Sequence, residues 1–173
     1  MSTYLITGTG KGVGLELTKQ LLTLPSSEVT HIFALSRSKP TSGLQSLLDA
    51  NQGRVTHITG AVDCDDSVQA AADEVTKLLD GKGLDVMVNN AGIGGASKTF
   101  KMEGYGSEHV NEFLNTNVTG VHRMTVAFLP LLREGREKKI INLCVDELRF
   151  ASHLFGELKL ALTLSTGRRR WAR

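Results

Sequence analysis

Apolar residues along this chain gather into five short runs, at residues 4–7, 31–35, 54–59, 84–89 and 139–143, separated by longer stretches of helical spacing. Each run is strand-length, mostly aliphatic or β-branched, and not strictly alternating. That pattern fits parallel strands buried on both faces. Between them, Val13, Leu17 and Leu21 recur every fourth residue. Val68, Ala72, Val75 and Leu79 follow i, i+4, i+7 and i+11, with Asp65 or Asp66 as the expected cap. The longest helix is expected over residues 107–132. Leu114, Val118, Val121 and Phe128 mark one of its faces, and Phe113, Met124 and Leu131 a second. One side then covers the sheet and the other is free to meet a partner helix. Stretches 36–42 and 93–106 read as loops, the second glycine-rich. No internal repeat is present. Five strands separated by helices imply right-handed βαβ crossovers, and so an α/β fold of Rossmann type: a doubly wound parallel sheet of about five strands.

Bulk properties narrow the classes without choosing a chemistry. A chain of 173 residues suits a single domain, 1–173, and 40% apolar with 22% charged residues is ordinary for a globular protein. The net charge of +2 is too small to argue for nucleic acid. Residues 1–6 do not read as a secretory leader, so none is expected, and no run of about 18 apolar residues could span a bilayer. Cys64 and Cys144 stand apart, without metal-ligand spacing, and read as reduced thiols of a cytoplasmic protein with no metal site.

The first strand runs into Thr7-Gly8-Thr9-Gly10-Lys11-Gly12-Val13-Gly14. A glycine-rich turn that follows a strand and opens a helix has the context phosphate binding needs. Gly8 permits the sharp turn, Gly12 lets a pyrophosphate approach the backbone beside Val13, and Gly14 lets the helix pack close to its strand. The helix N-terminus supplies partial positive charge. After the second strand an NAD site usually carries an acidic residue for the ribose 2′-hydroxyl. Here the chain reads Ser36-Arg37-Ser38. Arg37 can fork onto a 2′-phosphate, Ser36 or Ser38 can add a hydroxyl, and Lys11 brings a second positive charge. NADP(H) is therefore the expected cofactor.

The TGxxxGxG spacing at residues 7–14, the Asn89-Asn90-Ala91-Gly92 sequence after the fourth strand, and Asn115-Thr116-Asn117-Val118-Thr119-Gly120 on the long helix together resemble the short-chain dehydrogenase/reductase family. That resemblance covers nearly the whole chain but only the cofactor-binding part of a full family enzyme. It implies that Asp63 accepts from the adenine, with a helix cap as its other reading. It also implies that Asn90, Ala91 and Gly92 make room for the cofactor and that Asn117 holds a water of the proton relay. Arg123 is a cofactor-side candidate whose plainer reading is a surface charge. Lys159, in Phe155-Gly156-Glu157-Leu158-Lys159, falls on the family's YxxxK lysine, as both a cofactor-binding and a catalytic residue.

The catalytic set departs from that pattern. The tyrosine position is Phe155 and the serine position is Val145, beside Cys144, and the interval between them is shorter than usual. A phenyl ring has no proton to donate. Ser152 and His153 lie inside the interval, and Tyr4 and Tyr105 lie elsewhere; none is a convincing donor. Full family members continue through two more strands and a segment over the substrate, so the resemblance predicts a sheet that lacks them, with residues 139–143 at its edge. The opening residues 4–22 look closest to the fungal ketoreductase and C-factor-like branch. An NADP(H)-dependent carbonyl or ketone reductase of polyketide secondary metabolism is therefore expected, acting on a small-molecule substrate and possible as a homodimer, with an incomplete catalytic centre. A catalytically silent dinucleotide-binding or dimerising module, or a truncated gene product, stands as the alternative.

Overall fold

A computed structural model describes residues 1–94 and 106–144. Met1–Asn142 form one unit, a five-stranded parallel sheet in the order β3-β2-β1-β4-β5. The strands are β1 (Ser2–Thr7), β2 (Val29–Ser36), β3 (Val55–Thr59), β4 (Val86–Asn89) and β5 (Lys139–Asn142). All five expected strands are present, their ends shifted by one to two residues. The central three are almost wholly buried, which is why their sequence lacks alternation. Among the described residues β3 and β5 are the outermost strands.

Helices cover both faces. α1 (Gly12–Thr23) and α2 (Ser42–Ala50) pack on β1, β2 and β3. α3 (Asp65–Leu79), α4 (Ser107–Leu114) and α5 (Gly120–Glu134) follow, and α3 and α5 meet each other over β3 and β4. Between them Leu5, Phe33, Leu35, Ile58, Met87, Met124 and Phe128 form the main core. This is the doubly wound arrangement expected.

Four local expectations change. The buried spine of α1 is Gly14, Thr18 and Leu22, one residue on from Val13, Leu17 and Leu21, and Val13 is exposed. The glycine rather than an aliphatic side chain faces the strand. α3 buries Val68, Ala72, Val75 and Leu79 as expected, but its N-cap is Cys64, and Asp65 and Asp66 occupy the first turn, where they complement the dipole. α2 is a helix the apolar periodicity did not disclose, because only Leu44 is buried along it; the Thr41 hydroxyl caps it by accepting the Leu44 N–H at 3.4 Å. Finally, the helix expected over 107–132 contains a π turn, Asn115–Thr119, between α4 and α5. Each inserted residue rotates the helical face by about 100°. The buried row becomes Thr116, Gly120, Met124, Phe128 and Leu132, while Leu114 and Val118 are exposed.

Candidate functional site at the sheet switch point

β1 and β4 are neighbours, with β2 and β3 on one side and β5 on the other. Chain order reverses there, and open α/β sheets bind ligands in the crevice outside the strand C-termini at such a point. Its rim is made by the segments that follow β1, β2, β3 and β4.

Gly8 begins the first segment with φ +73°, and its N–H and that of Thr9 both donate to the Leu35 carbonyl, at 2.9 and 3.2 Å. Gly14 is pressed against the turn: a Cβ there would stand 2.4 Å from the Gly8 oxygen and 2.5 Å from Asn90 Nδ2. Gly12 is different. Its φ is +60° and a Cβ there would meet nothing within 4 Å, so this part of the loop borders open space. Lys11 at the N-cap makes no side-chain cap, and no acidic residue lies in the first turn of α1. Among the described residues neither the cap nor the first turn brings a negative group to the positive end of that helix, which suits a phosphate.

Thr7 ties the second half of the rim to the first. Its hydroxyl donates to the Val88 carbonyl at 3.4 Å and accepts the N–H groups of Asn90 and Ala91 at 3.0 and 2.9 Å. The Asn90 side-chain amide donates to the carbonyls of Thr7 and Gly8, at 2.8 and 3.3 Å. Asn90 therefore bridges strands β1 and β4. Thr7 was not among the expected site residues; its signal was a hydroxyl directly before the first glycine, able to donate and accept at once.

The π turn is anchored on both sides. Asn117 Oδ1 accepts the Ile93 N–H, and its Nδ2 donates to the Ile93 carbonyl, both at 2.8 Å. Gly92 lies against the same amide: a Cβ there would be 3.1 Å from Asn117 Oδ1. Asn115 Nδ2 donates to the Asp63 carbonyl at 3.2 Å, while Arg123 donates to Asn115 Oδ1 at 2.8 Å and to Asp65 Oδ1 at 2.7 Å. Arg123 thus ties α5 to α3 rather than standing as a solvated charge. Asp63, half-buried, brings its backbone to this knot and does not cap α3. Two asparagines in mid-helix, where they are poor helix formers, were the sequence signal for this irregular turn.

At the β2 corner, Arg37 and Lys11 are exposed, and neither forms an ion pair among the described residues. Ser36, offered above as a possible phosphate ligand, is buried; its hydroxyl donates to the Ser38 carbonyl at 3.0 Å. Ser38 is exposed beside Arg37. Tyr4 lies at the far end of the sheet, in a shallow cleft with Leu24, Glu28 and Glu137, where burial and then Glu137 push its hydroxyl pKa up. Val145, Phe155, Lys159, Ser152, His153 and Tyr105 lie outside the described residues.

A model of the short chain dehydrogenase family matches residues 2–151. A short-chain dehydrogenase/reductase of Aspergillus aculeatus, AacuF, is 34% identical over 148 residues, covering 83% of this chain and 54% of that protein. The 3-ketodihydrosphingosine reductase of Bacteroides thetaiotaomicron is 36% identical over 80% of this chain and 45% of its own length. Among solved structures, an NADPH-bound carbonyl reductase from chicken fatty liver superposes with TM-score 0.68 at 29% identity, covering 78% of this chain and 49% of its own. The chain spans about half the length of these proteins. Among the described residues no helix is long and apolar enough to cross a membrane.

Proposed function

Because this chain belongs to the short-chain dehydrogenase/reductase family, we propose that it holds NADP(H) in the crevice between β1 and β4 and serves carbonyl reduction. One observation carries the choice of nucleotide: Arg37 and Lys11 are exposed on the segments that follow β2 and β1, and the Ser36-Arg37-Ser38 turn has no carboxylate. An arginine fork suits a phosphate, whereas a ribose 2′-hydroxyl calls for an acceptor.

The residues fit that ligand. Gly12 borders the space a pyrophosphate would fill, with Gly8, Val13 and Gly14 shaping the loop and the α1 N-terminus facing the charge. Asp63 would receive the adenine, and Asn90, Ala91 and Gly92 would line the ribose and nicotinamide side. Lys159 would hold the nicotinamide ribose, and Arg123 would support the Asp63 and Asn115 backbone from behind. The nicotinamide, when bound, supplies hydride to a carbonyl carbon. The protein has to deliver a proton to the carbonyl oxygen, and Asn117 would order the water that feeds it. At the donor position stands Phe155, and at the orienting position Val145, neither of which can donate or accept a proton. Reduction by this chain is accordingly slow. The branch resemblance points to ketones of aromatic polyketide type and a secondary-metabolic setting, and the isolated Cys64 and Cys144, read as reduced thiols, support a cytoplasmic one.

A second reading, a dinucleotide-binding module without turnover, is favoured by Phe155 alone. Two experiments separate these. Titration with NADPH and NADH, followed by calorimetry and cofactor fluorescence, tests the nucleotide; steady-state NADPH oxidation with a panel of quinones and aromatic ketones tests the chemistry. Equal affinity for the two cofactors overturns the NADP(H) reading. Tight NADPH binding with no oxidation favours the silent module.

A further inference from the structure

The turn that carries Arg37 is held from below. Ser36 closes it by donating its hydroxyl to the Ser38 carbonyl at 3.0 Å, which leaves Arg37 at the apex. The same hydroxyl oxygen lies 2.8 Å from Nε2 of His57. His57 comes from β3, the neighbouring strand, whose register sets it opposite Ala34 and sets Thr59 opposite Ser36. A hydroxyl has one proton to give. With that proton on the Ser38 carbonyl, His57 must carry its own proton on Nε2 and donate it to Ser36. Burial pushes the His57 pKa below its ordinary value, with Ser38 and Glu74 pulling the other way, so the donor is the neutral imidazole. Above Ser36 sits the glycine loop: a Cβ on Gly10 would stand 3.9 Å from Ser36 Cβ and 3.7 Å from Thr41 Cγ2. The Thr41 hydroxyl donates to the Gly10 carbonyl at 2.7 Å. A continuous chain thus runs from His57 through Ser36 to the turn beneath Arg37, flush against the loop that carries Lys11.

We propose that His57 is a positioning residue for an adenosine 2′-phosphate, fixing the backbone from which Arg37 reaches it; the proposal rests on the NADP(H) reading above. The other neutral tautomer, with its proton on Nδ1, would draw the Ser36 proton to itself and release the Ser38 carbonyl. Removing the imidazole likewise frees Ser36 to turn away, and the turn loses its fixed apex. A cofactor with a plain 2′-hydroxyl makes no use of the arginine fork, so its binding is insensitive to this chain of bonds.

The test uses the full chain with His57→Leu, His57→Gln and Ser36→Ala, titrated with NADPH and NADH. His57→Leu should weaken NADPH binding by about fivefold, the worth of one ordinary hydrogen bond, and leave NADH within about twofold. The Gln side-chain amide restores a donor toward Ser36, so His57→Gln should recover most of the NADPH affinity. Ser36→Ala should lose the same selectivity, and His57→Leu added to it should cost little more; this arm carries the test if His57→Leu alone does not fold. A wild-type chain that prefers NADPH, with His57→Leu and Ser36→Ala retaining that preference in full, overturns the proposal. So does an equal loss for both cofactors, which would mark a purely structural role. A wild-type chain with no preference overturns the NADP(H) reading itself and the proposal with it, and is recognised before any variant is made.

Discussion

Asn90 donates its side-chain amide to the main-chain carbonyl of Thr7 at 2.8 Å, while the Thr7 hydroxyl accepts the backbone N–H of Asn90 at 3.0 Å. Each residue satisfies the other across the two strands that bound the crevice. Thr7 is 1% exposed, so no water replaces a lost partner. Thr7→Val keeps the shape, removes the hydroxyl and strands the N–H groups of Asn90 and Ala91. Urea unfolding should show a loss of about 1–3 kcal/mol, and Thr7→Ser should recover most of it. A Thr7→Val protein as stable as wild type would mean the two N–H groups find other acceptors.

On the proposed NADP(H) reading, nucleotide preference turns on charge at one exposed corner. Arg37→Asp replaces a guanidinium that can fork onto phosphate with a carboxylate that accepts from a ribose hydroxyl. The preference for NADPH should narrow or reverse, by roughly 1.5–3 kcal/mol in relative binding free energy. Calorimetry with both cofactors, at fixed ionic strength, measures it.

Acid sensitivity should trace to Asp85. Burial pushes its carboxyl pKa up, but the Thr3 N–H at 2.8 Å, the Arg136 N–H at 2.7 Å and the Thr3 hydroxyl outweigh that and hold it below the ordinary value. A pKa lowered by folding contributes stability above the unfolded value of about 3.9 and loses it as the pH falls through the folded one. The unfolding midpoint should therefore decline below about pH 4. Asp85→Asn should be less stable near neutrality and flatter across that acid range. An unchanged profile would assign the acid limb to other groups.

Val110, Leu114 and Val118 recur every fourth residue and are 47%, 46% and 58% exposed. With Ile140 also exposed on β5, an outermost strand among the described residues, the chain presents apolar surface on two elements. Self-association is expected at tens of micromolar (roughly a working concentration). Sedimentation velocity on wild type and on Leu114→Glu checks it: the variant should shift toward monomer. A wild-type monomer at that concentration would show these faces to be inert.

Turnover should be low. A positioned general acid contributes about 10²–10⁴-fold, and on the proposed alignment the donor position is Phe155, whose phenyl ring supplies no proton. NADPH oxidation with quinones and aromatic ketones should fall well below about 1 s⁻¹, the lower end of ordinary enzyme rates. The double change Val145→Ser with Phe155→Tyr should restore only a trace of activity, since on the proposed alignment the interval between the two positions is shorter than the family's. A wild-type rate in the ordinary range would reveal another proton donor.

The residues that announce themselves in sequence are those whose job is local. Gly8 and Gly12 adopt positive φ and a Cβ on Gly14 would stand 2.4 Å from the Gly8 oxygen, so the turn itself demands glycine there, even though Asn90 also crowds Gly8 and Gly14. The three central strands were legible for a similar reason: burial on both faces demands largely apolar runs, whatever the neighbours are; β3 and β5 are not buried in that way, and were legible from their β-branched residues instead. Helix faces were less so. Periodicity assumes constant rotation per residue, and the π turn at Asn115–Thr119 breaks that assumption, so Leu114 and Val118 are exposed while Phe128, expected on the same face, is buried. α2 escaped because a helix that buries only Leu44 leaves almost no apolar signature. What only the tertiary structure decided are the pairings between distant segments: Thr7 with Asn90, Ser36 with His57, Asn117 with Ile93, Arg123 with Asp65. Each is a polar contact between side chains or backbone 21 to 83 residues apart. Hydrogen bonds of that span depend on strand order and register, which no local pattern of hydrophobic and polar residues encodes.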